Sequence, residues 1–320
     1  MSRKQVLVFR ELPADQLARL RAAHQVIVAD PRLDAQRDAF FAALPTAQAL
    51  IGSSWRIDEA VLAQAPRLEV ISSISVGVDN YDLARLKQRG ILLCNTPGVL
   101  TETTADTIFA LIIATSRRLV ELALHVREGR WTRNIGESLF GWDVHGKTLG
   151  VVGFGRIGQA VARRAALGFG MPVLYHNPSP VELGELAGKA QPATLDTLLS
   201  QADIVALTIP LTDTTRGLMD ARRFGLMKPT AIFVNGSRGA VVQEDALLAA
   251  LDAGRLRAAG LDVFAVEPLP LASPLRTHAL VTALPHMGSA THETRHAMAE
   301  LATSNLLQAL AGHRPAALVV

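Results

Sequence analysis

Cysteine is nearly absent: Cys94 is the only one in 320 residues, so no disulfide can form within the chain. Its place in an apolar run reads as a small buried residue in a strand, and the composition suits a reducing compartment such as the cytoplasm. Long apolar runs are missing too. Stretches such as Ile108 to Ala114 and Leu149 to Val152 fall short of the ~18 to 20 residues that cross a bilayer. Met1 to Gln5 leads directly into a predicted strand, so neither a signal peptide nor a membrane anchor is expected. Charge of one sign is also lacking. The net +3 is small for this length, and Arg and Lys are scattered through predicted helices, which leaves a nucleic-acid partner without support. With 49% hydrophobic and 19% charged residues and no low-complexity tract, the chain reads as a globular protein of about two domains with substantial cores.

What is present is a regular alternation of strand and helix. Strands are predicted at Gln5–Phe9, Gln25–Ala29, Ala47–Ile51, Leu68–Ser72 and Ile91–Leu93, with helices at Pro13–Ala23, Asp34–Leu44, Ile57–Gln64 and Asp82–Gln88 between them. The first hundred residues therefore make a doubly wound α/β unit around a parallel sheet. Asn95-Thr96-Pro97-Gly98 interrupts it, and a long helix follows from Thr101 with an apolar face through Ile108, Leu111, Ile112 and Leu119. A polar segment of roughly twenty residues carrying Trp131, Phe140 and Trp142 comes next; it either wraps a partner subunit or packs on its own domain. A second alternating series occupies 148 to 282. The helix predicted at His292–Ala311 returns to complete the first domain, which is then discontinuous: 1–100 plus 289–320, around a second domain of 101–288 whose dimerisation segment lies near 101–146.

The second series opens on Lys147-Thr148-Leu149-Gly150-Val151-Val152-Gly153-Phe154-Gly155-Arg156-Ile157-Gly158, a strand end followed by G-x-G-x-x-G and a helix. The triplet Gly153, Gly155 and Gly158 lets backbone approach a pyrophosphate, which rests on the amides and positive dipole end of the helix. This pattern predicts a dinucleotide-binding Rossmann domain. Ligands of open α/β sheets bind beyond the carboxyl ends of strands, where Arg238, Glu267 and His286 fall in three successive loops. Arg offers a fork of donors to a carboxylate and neighbouring carbonyl; a His beside a carboxylate can carry a proton near neutral pH. Together they suit a keto-acid reductase, although spacing alone equally allows each to be a structural polar residue. Ser75-Val76-Gly77-Val78-Asp79-Asn80, also at a strand end, could hold an anion on its amides or be a simple turn.

The chain resembles the D-isomer-specific 2-hydroxyacid dehydrogenases. The resemblance rests on V-G-V-D-N-Y-D-L at 76 to 83, N-T-P-G-V-L-T-E-T-T-A-D at 95 to 106, the glycine fingerprint, N-G-S-R-G at 235 to 239, G-L-D-V-F-A-V-E-P at 260 to 268 and P-H-M-G-S-A-T at 285 to 291, in that order over most of the chain. Within the family it is most similar to the bacterial glyoxylate/hydroxypyruvate reductases, also called 2-ketogluconate reductases, through 143–150, 169–172 and 288–295. The resemblance implies a Rossmann domain with a flavodoxin-like substrate domain, and a cytoplasmic homodimer that reduces small 2-keto acids. It implies Arg238, Glu267 and His286 as the catalytic set and Val76 and Gly77 as amide donors to the substrate carboxylate. For the cofactor it implies contacts from Arg156, Ile157, Thr208, Pro210, Asp262 and Gly288 beside the three glycines. Phosphite and formate dehydrogenases of the same family are less favoured, the former because the Ser75–Gly77 loop lacks a lysine; dinucleotide-sensing corepressors usually carry long flanking segments.

One departure concerns the cofactor. Where an acidic residue would take the ribose 2′-OH of NAD, the chain reads Tyr175-His176-Asn177-Pro178-Ser179-Pro180. Without a carboxylate to repel a 2′-phosphate, NADP is favoured, with Arg156, Asn177 and Ser179 as its contacts; the arginine pair common in these reductases is replaced by Pro178 and Ser179, so NAD or dual use is the alternative. A second motif competes. His292-Glu293-Thr294-Arg295-His296 matches H-E-x-x-H, yet Arg295 adds positive charge beside any cation and the same run belongs to the reductase resemblance, so no metal is expected.

Overall fold

The computed structural model describes residues 3–320, folded as two compact units: 3–100 with 290–320, and 101–289. The first hundred residues run β1 (Gln5–Val8), α1 (Ala14–Ala23), β2 (Gln25–Val28), α2 (Asp34–Ala43), β3 (Ala49–Gly52), α3 (Glu59–Ala63), β4 (Val70–Ser73), α4 (Leu83–Gln88) and β5 (Leu92–Cys94). The second unit contains α5 (Thr101–Arg117), α6 (Leu119–Arg127), β6 (Leu149–Val152), α7 (Arg156–Arg163), β7 (Val173–His176), β8 (Ala190–Pro192), α8 (Leu195–Gln201), β9 (Ile204–Leu207), α9 (Ala221–Leu226), β10 (Ile232–Asn235), α10 (Glu244–Asp252), β11 (Ala258–Leu261) and β12 (Val281–Ala283). The last helix, α11 (His292–Leu310), belongs to the first unit. Among the described residues no helix is long and apolar enough to cross a membrane.

In the first unit five parallel strands lie in the order β2-β1-β3-β4-β5. Val6, Leu7, Leu50, Ile51 and Ile71 are buried, the continuous apolar run that a strand covered on both faces requires. Asp58 and Asp82 cap the helices that follow them by accepting backbone N–H bonds. α11 packs on β3, β4 and β5, and Ser72 Oγ donates to the Ala302 carbonyl at 2.7 Å. The chain end then pairs with β5 through Leu93 N–H to Val320 O (3.0 Å) and Val319 N–H to Leu93 O (2.7 Å). Strand order reverses between β1 and β3, opening a crevice at their carboxyl ends.

The second unit holds seven parallel strands, β12-β11-β10-β9-β6-β7-β8, reversing between β6 and β9. Successive residues face opposite layers: Val151 joins a core with Ile108, Leu111 and Val161, and Val152 one with Leu198, Leu247 and Leu251. Three sequence expectations change. The long helix breaks at Arg118, left-handed at φ 55°, so Leu119 begins α6 and is 48% exposed instead of continuing the buried face. β8 and α9 were not expected at all. Finally, Ser289 stays with the second unit, because Gly288 is held there by its N–H to Asp262 Oδ2 (2.9 Å) and by Thr107 Oγ1 on its carbonyl (3.3 Å).

Candidate active site

Arg238, Glu267 and His286 leave the carboxyl ends of β10, β11 and β12, which are neighbours in the second unit. His286 Nδ1 lies 2.6 Å from Glu267 Oε2, and Glu267 Oε1 accepts the Phe264 N–H at 3.0 Å. Since an ionised carboxylate only accepts, this contact assigns the Nδ1 proton to His286 and leaves Nε2 outside the pair. The His286 backbone is left-handed at φ 51°. Such a conformation costs a β-carbon residue of order 1–3 kcal/mol and persists only where neighbours over-determine it. Asp262 supplies that constraint: Oδ1 accepts the Met287 N–H (2.8 Å) and Oδ2 the Gly288 N–H (2.9 Å), pinning the two peptides after the histidine. The Arg238 loop is tied from within by Asn235, whose Oδ1 accepts from Ser237 N–H (3.0 Å) and Oγ (2.7 Å) and whose Nδ2 donates to the Arg238 carbonyl (3.1 Å).

Electrostatics separate the two carboxylates. Burial pushes Glu267 up, but the bonds from His286 and the Phe264 amide, with the positive charges of His286 and Arg238, outweigh it and hold the group below the usual glutamate range. At Asp262 burial wins: the group is raised despite the Met287 and Gly288 amides and the His286 charge, with Glu267 adding repulsion. Glu267 is therefore the carboxylate built to stay ionised.

The glycine turn connects β6 to α7 at the strand-order reversal. Gly153 is at φ 91°, and a Cβ on Gly158 would lie 2.1 Å from the Gly153 carbonyl. These two glycines close the turn on itself. A Cβ on Gly155 would meet nothing within 4 Å: it would project into open space at the head of α7, where first-turn amides have no intrahelical acceptor. This cradle fits a pyrophosphate. Thr208, after β9, uses its hydroxyl to brace the turn by donating to Gly153 O at 2.5 Å, and exposed Pro210 follows it. Arg156 is exposed at the start of α7 while Ile157 packs against the core. Asn177 is partly committed: Oδ1 accepts the Phe154 N–H (3.0 Å) and Nδ2 donates to the carbonyl of exposed Ser179 (2.8 Å).

In the first unit, Val76 and Gly77 sit in the loop after β4. Asn95 Nδ2 donates to the Val76 carbonyl at 2.9 Å. Because carbonyl and amide of one trans peptide point oppositely, this turns the Gly77 N–H away from Asn95. Ser75 Oγ donates to the Gly77 carbonyl at 2.7 Å, and Asn305 Nδ2 to the Asn95 carbonyl at 3.1 Å, fixing the loop from α11. Sequence reasoning passed over Asn95, Ser75 and Asn235; their only signal was a short polar side chain at a strand end. The H-E-x-x-H histidines are not paired with each other: His296 Nε2 lies 2.9 Å from Asp15 Oδ2 on α1, and among the described residues no group of three potential ligands gathers.

Residues 109–288 match the family model for the D-isomer specific 2-hydroxyacid dehydrogenase, NAD binding domain. The chain is 50% identical over 310 residues to glyoxylate/hydroxypyruvate reductase B of Shigella boydii, covering 96% of this chain and 95% of that protein. A Thermus thermophilus crystal structure superposes with TM-score 0.90 at 44% identity, covering 99% of this chain and all (100%) of that one. The NADPH-dependent glyoxylate/hydroxypyruvate reductase of Sinorhizobium meliloti, solved with NADP and malonate, gives 0.89 at 32% identity over 100% of this chain and 97% of its own. A strand-turn-helix cradle for a dinucleotide, a carboxylate-braced histidine and an arginine on adjacent strand ends are thus placed in a chain that belongs to the D-isomer specific 2-hydroxyacid dehydrogenase family.

Proposed function

We propose that this protein is an NAD(P)H-dependent reductase of small 2-keto acids, acting on glyoxylate and hydroxypyruvate and also on 2-ketogluconate, to give D-2-hydroxy acids. The observation that carries this reading is the His286 Nδ1 to Glu267 Oε2 contact of 2.6 Å. In it, Glu267 orients the ring and stabilises its charged form, so that His286 gives its Nε2 proton to the substrate carbonyl oxygen and takes another from solvent. When bound, the dihydronicotinamide supplies the hydride to the carbonyl carbon. Arg238 polarises that carbonyl and binds the carboxylate, which also takes the amides of Val76 and Gly77. Gly153, Gly155 and Gly158 receive the pyrophosphate, with Asp262 and Gly288 fixing the loop beside the nicotinamide. The unit 3–100 with 290–320 serves as substrate domain and 101–289 as dinucleotide domain.

NADP is the preferred cofactor in this reading. Asn177 stands where a carboxylate would repel the 2′-phosphate, and a relative 32% identical was solved with NADP. The active form is a cytoplasmic homodimer. Oxidation of NADPH at its absorbance band, with hydroxypyruvate as substrate, tests the activity: no turnover at saturating substrate rejects it. A higher kcat/KM with NADH than with NADPH overturns the cofactor assignment alone.

A further inference from the structure

We propose that Arg10 and Arg295, with Ser54, form a second anion subsite on the carboxyl edge of the first unit's sheet, which receives a carboxylate or phosphate at the far end of a 2-keto acid. The inference rests on the 2-keto acid reductase reading above.

The placement follows from topology. Phe9 N–H bonds to Ile51 O and Ile74 N–H to Gly52 O, both at 2.9 Å, so the chain leaves β1, β3 and β4 side by side at one level. Arg10 follows β1, Ser54 follows β3, and the Val76–Gly77 loop follows β4. Arg10 and Ser54 thus flank the β1/β3 crevice, the reversal point at which open α/β sheets receive ligands. Two strand spacings, ~10 Å, separate β1 from β4, a span that a short carbon chain and an arginine side chain cover together.

Arg295 comes to this edge from the first turn of α11, whose next residue, His296, lies 2.9 Å from Asp15 Oδ2 at the start of α1, the helix that follows Arg10, and the charges there are unbalanced. Arg10 Nη1 donates to Ser54 Oγ at 3.0 Å, a neutral acceptor, and neither Arg10 nor Arg295 forms an ion pair among the described residues. The nearby carboxylate is already taken: Asp30 Oδ1 accepts both the Arg32 backbone N–H (3.0 Å) and Nε (2.9 Å), and its other oxygen takes Arg32 Nη2. Both unpaired arginines are half-buried. Burial lowers the pKa of each, and at Arg10 the charges of Arg32 and Arg295 lower it further against the opposing pull of Asp30 and Glu11. Two like charges drawn partly out of water with no carboxylate paired directly to either are costly unless an anion joins them, and guanidinium forks suit carboxylate and phosphate oxygens.

The test compares substrates with charged and uncharged tails. kcat/KM is measured for 2-oxoglutarate (terminal carboxylate), 3-phosphohydroxypyruvate (terminal phosphate) and 2-ketogluconate (uncharged polyol tail), each relative to hydroxypyruvate, in wild type, R10Q, R295Q and R295K. The charged-to-uncharged ratio is expected to fall by about tenfold or more in the glutamine variants and by less in R295K, which keeps the charge without the fork, with the carboxylate and phosphate arms telling which anion fits. An equal loss for every substrate, or a ratio unchanged in R10Q and R295Q, overturns the subsite. Calorimetric titration of wild type and R295Q with 2-oxoglutarate separates the two readings. Weaker binding to R295Q while wild type fails to reduce hydroxypyruvate rejects the reductase reading and keeps the subsite; equal binding to both proteins rejects the subsite.

Discussion

Glu267 and Asp262 are five positions apart on one loop, yet their surroundings give them opposite work. Glu267 is held ionised and pairs with His286; Asp262 accepts two peptide amides and positions the loop. Since the folded pKa of Glu267 is depressed, its stabilisation is complete above the ordinary glutamate value of about 4.3 and is lost as pH falls through the lower folded value. The difference in melting temperature between wild type and E267Q should therefore be largest near pH 7 and shrink below pH ~4; a difference independent of pH would sink that assignment. Replacing Arg238 by Lys keeps charge but removes the planar fork, and kcat/KM for hydroxypyruvate is expected to drop by roughly 10²-fold with little change in NADPH affinity. At Asn177 a carboxylate would face the 2′-phosphate, so N177D should move the NADPH-to-NADH ratio of kcat/KM toward NADH by about tenfold or more, measured by initial rates with each cofactor.

The glycine turn separates folding from binding within one element. A methyl at Gly158 collides with the Gly153 carbonyl at 2.1 Å, so G158A should lose stability by about 1–3 kcal/mol along with cofactor affinity. A methyl at Gly155 meets no protein atom within 4 Å, so G155A should melt like wild type without ligand and bind the dinucleotide at least about tenfold more weakly. Thermal melts with and without NADPH read both effects; equal affinity in G155A would remove the cradle. This turn was legible in sequence because strand, glycines and helix are contiguous, and so were the strands whose both faces are buried, such as Ile204–Leu207 and Ile232–Asn235. Arg238, Glu267 and His286 could be singled out as strand-end residues, although their mutual distances could not. β8 escaped because Ala190-Gln191-Pro192 buries one side chain and has no period to read. The break after Arg117 escaped because Arg118 adopts a left-handed backbone with no glycine to signal it. The bond from Asn95 to the Val76 carbonyl joins residues 19 apart in sequence, and only the packing of β4 against β5 brings them together.

At the scale of the whole molecule, the first turns beyond α5 leave an apolar surface uncovered. α6 has no buried residue, and Leu119, Val120, Leu124 and Val126 are exposed along it, with Trp131, Ile135 and Phe140 beyond. The end of the same excursion is anchored on its own unit: Trp142 N–H bonds to the Ser116 carbonyl at 2.9 Å, Arg118 Nη1 to the Ser138 carbonyl at 2.6 Å, and the Arg257 guanidinium lies 4.1 Å above the Trp142 ring. The segment thus presents its apolar side chains from a fixed base. Exposed large apolar side chains in such number along one segment suit an interaction surface, and a second copy of the chain is the partner that the homodimer reading requires. Two buried charges there should weaken association steeply. On that reading wild type is expected to be a dimer at micromolar concentration and the double variant L124E/V126E a monomer, with the dimer dissociation constant raised by about 100-fold or more and far-ultraviolet circular dichroism unchanged. Sedimentation velocity across a dilution series reads both species. A wild-type protein that is monomeric at every concentration, or a variant that dimerises as wild type does, would place the interface elsewhere and leave α6 as a solvated helix.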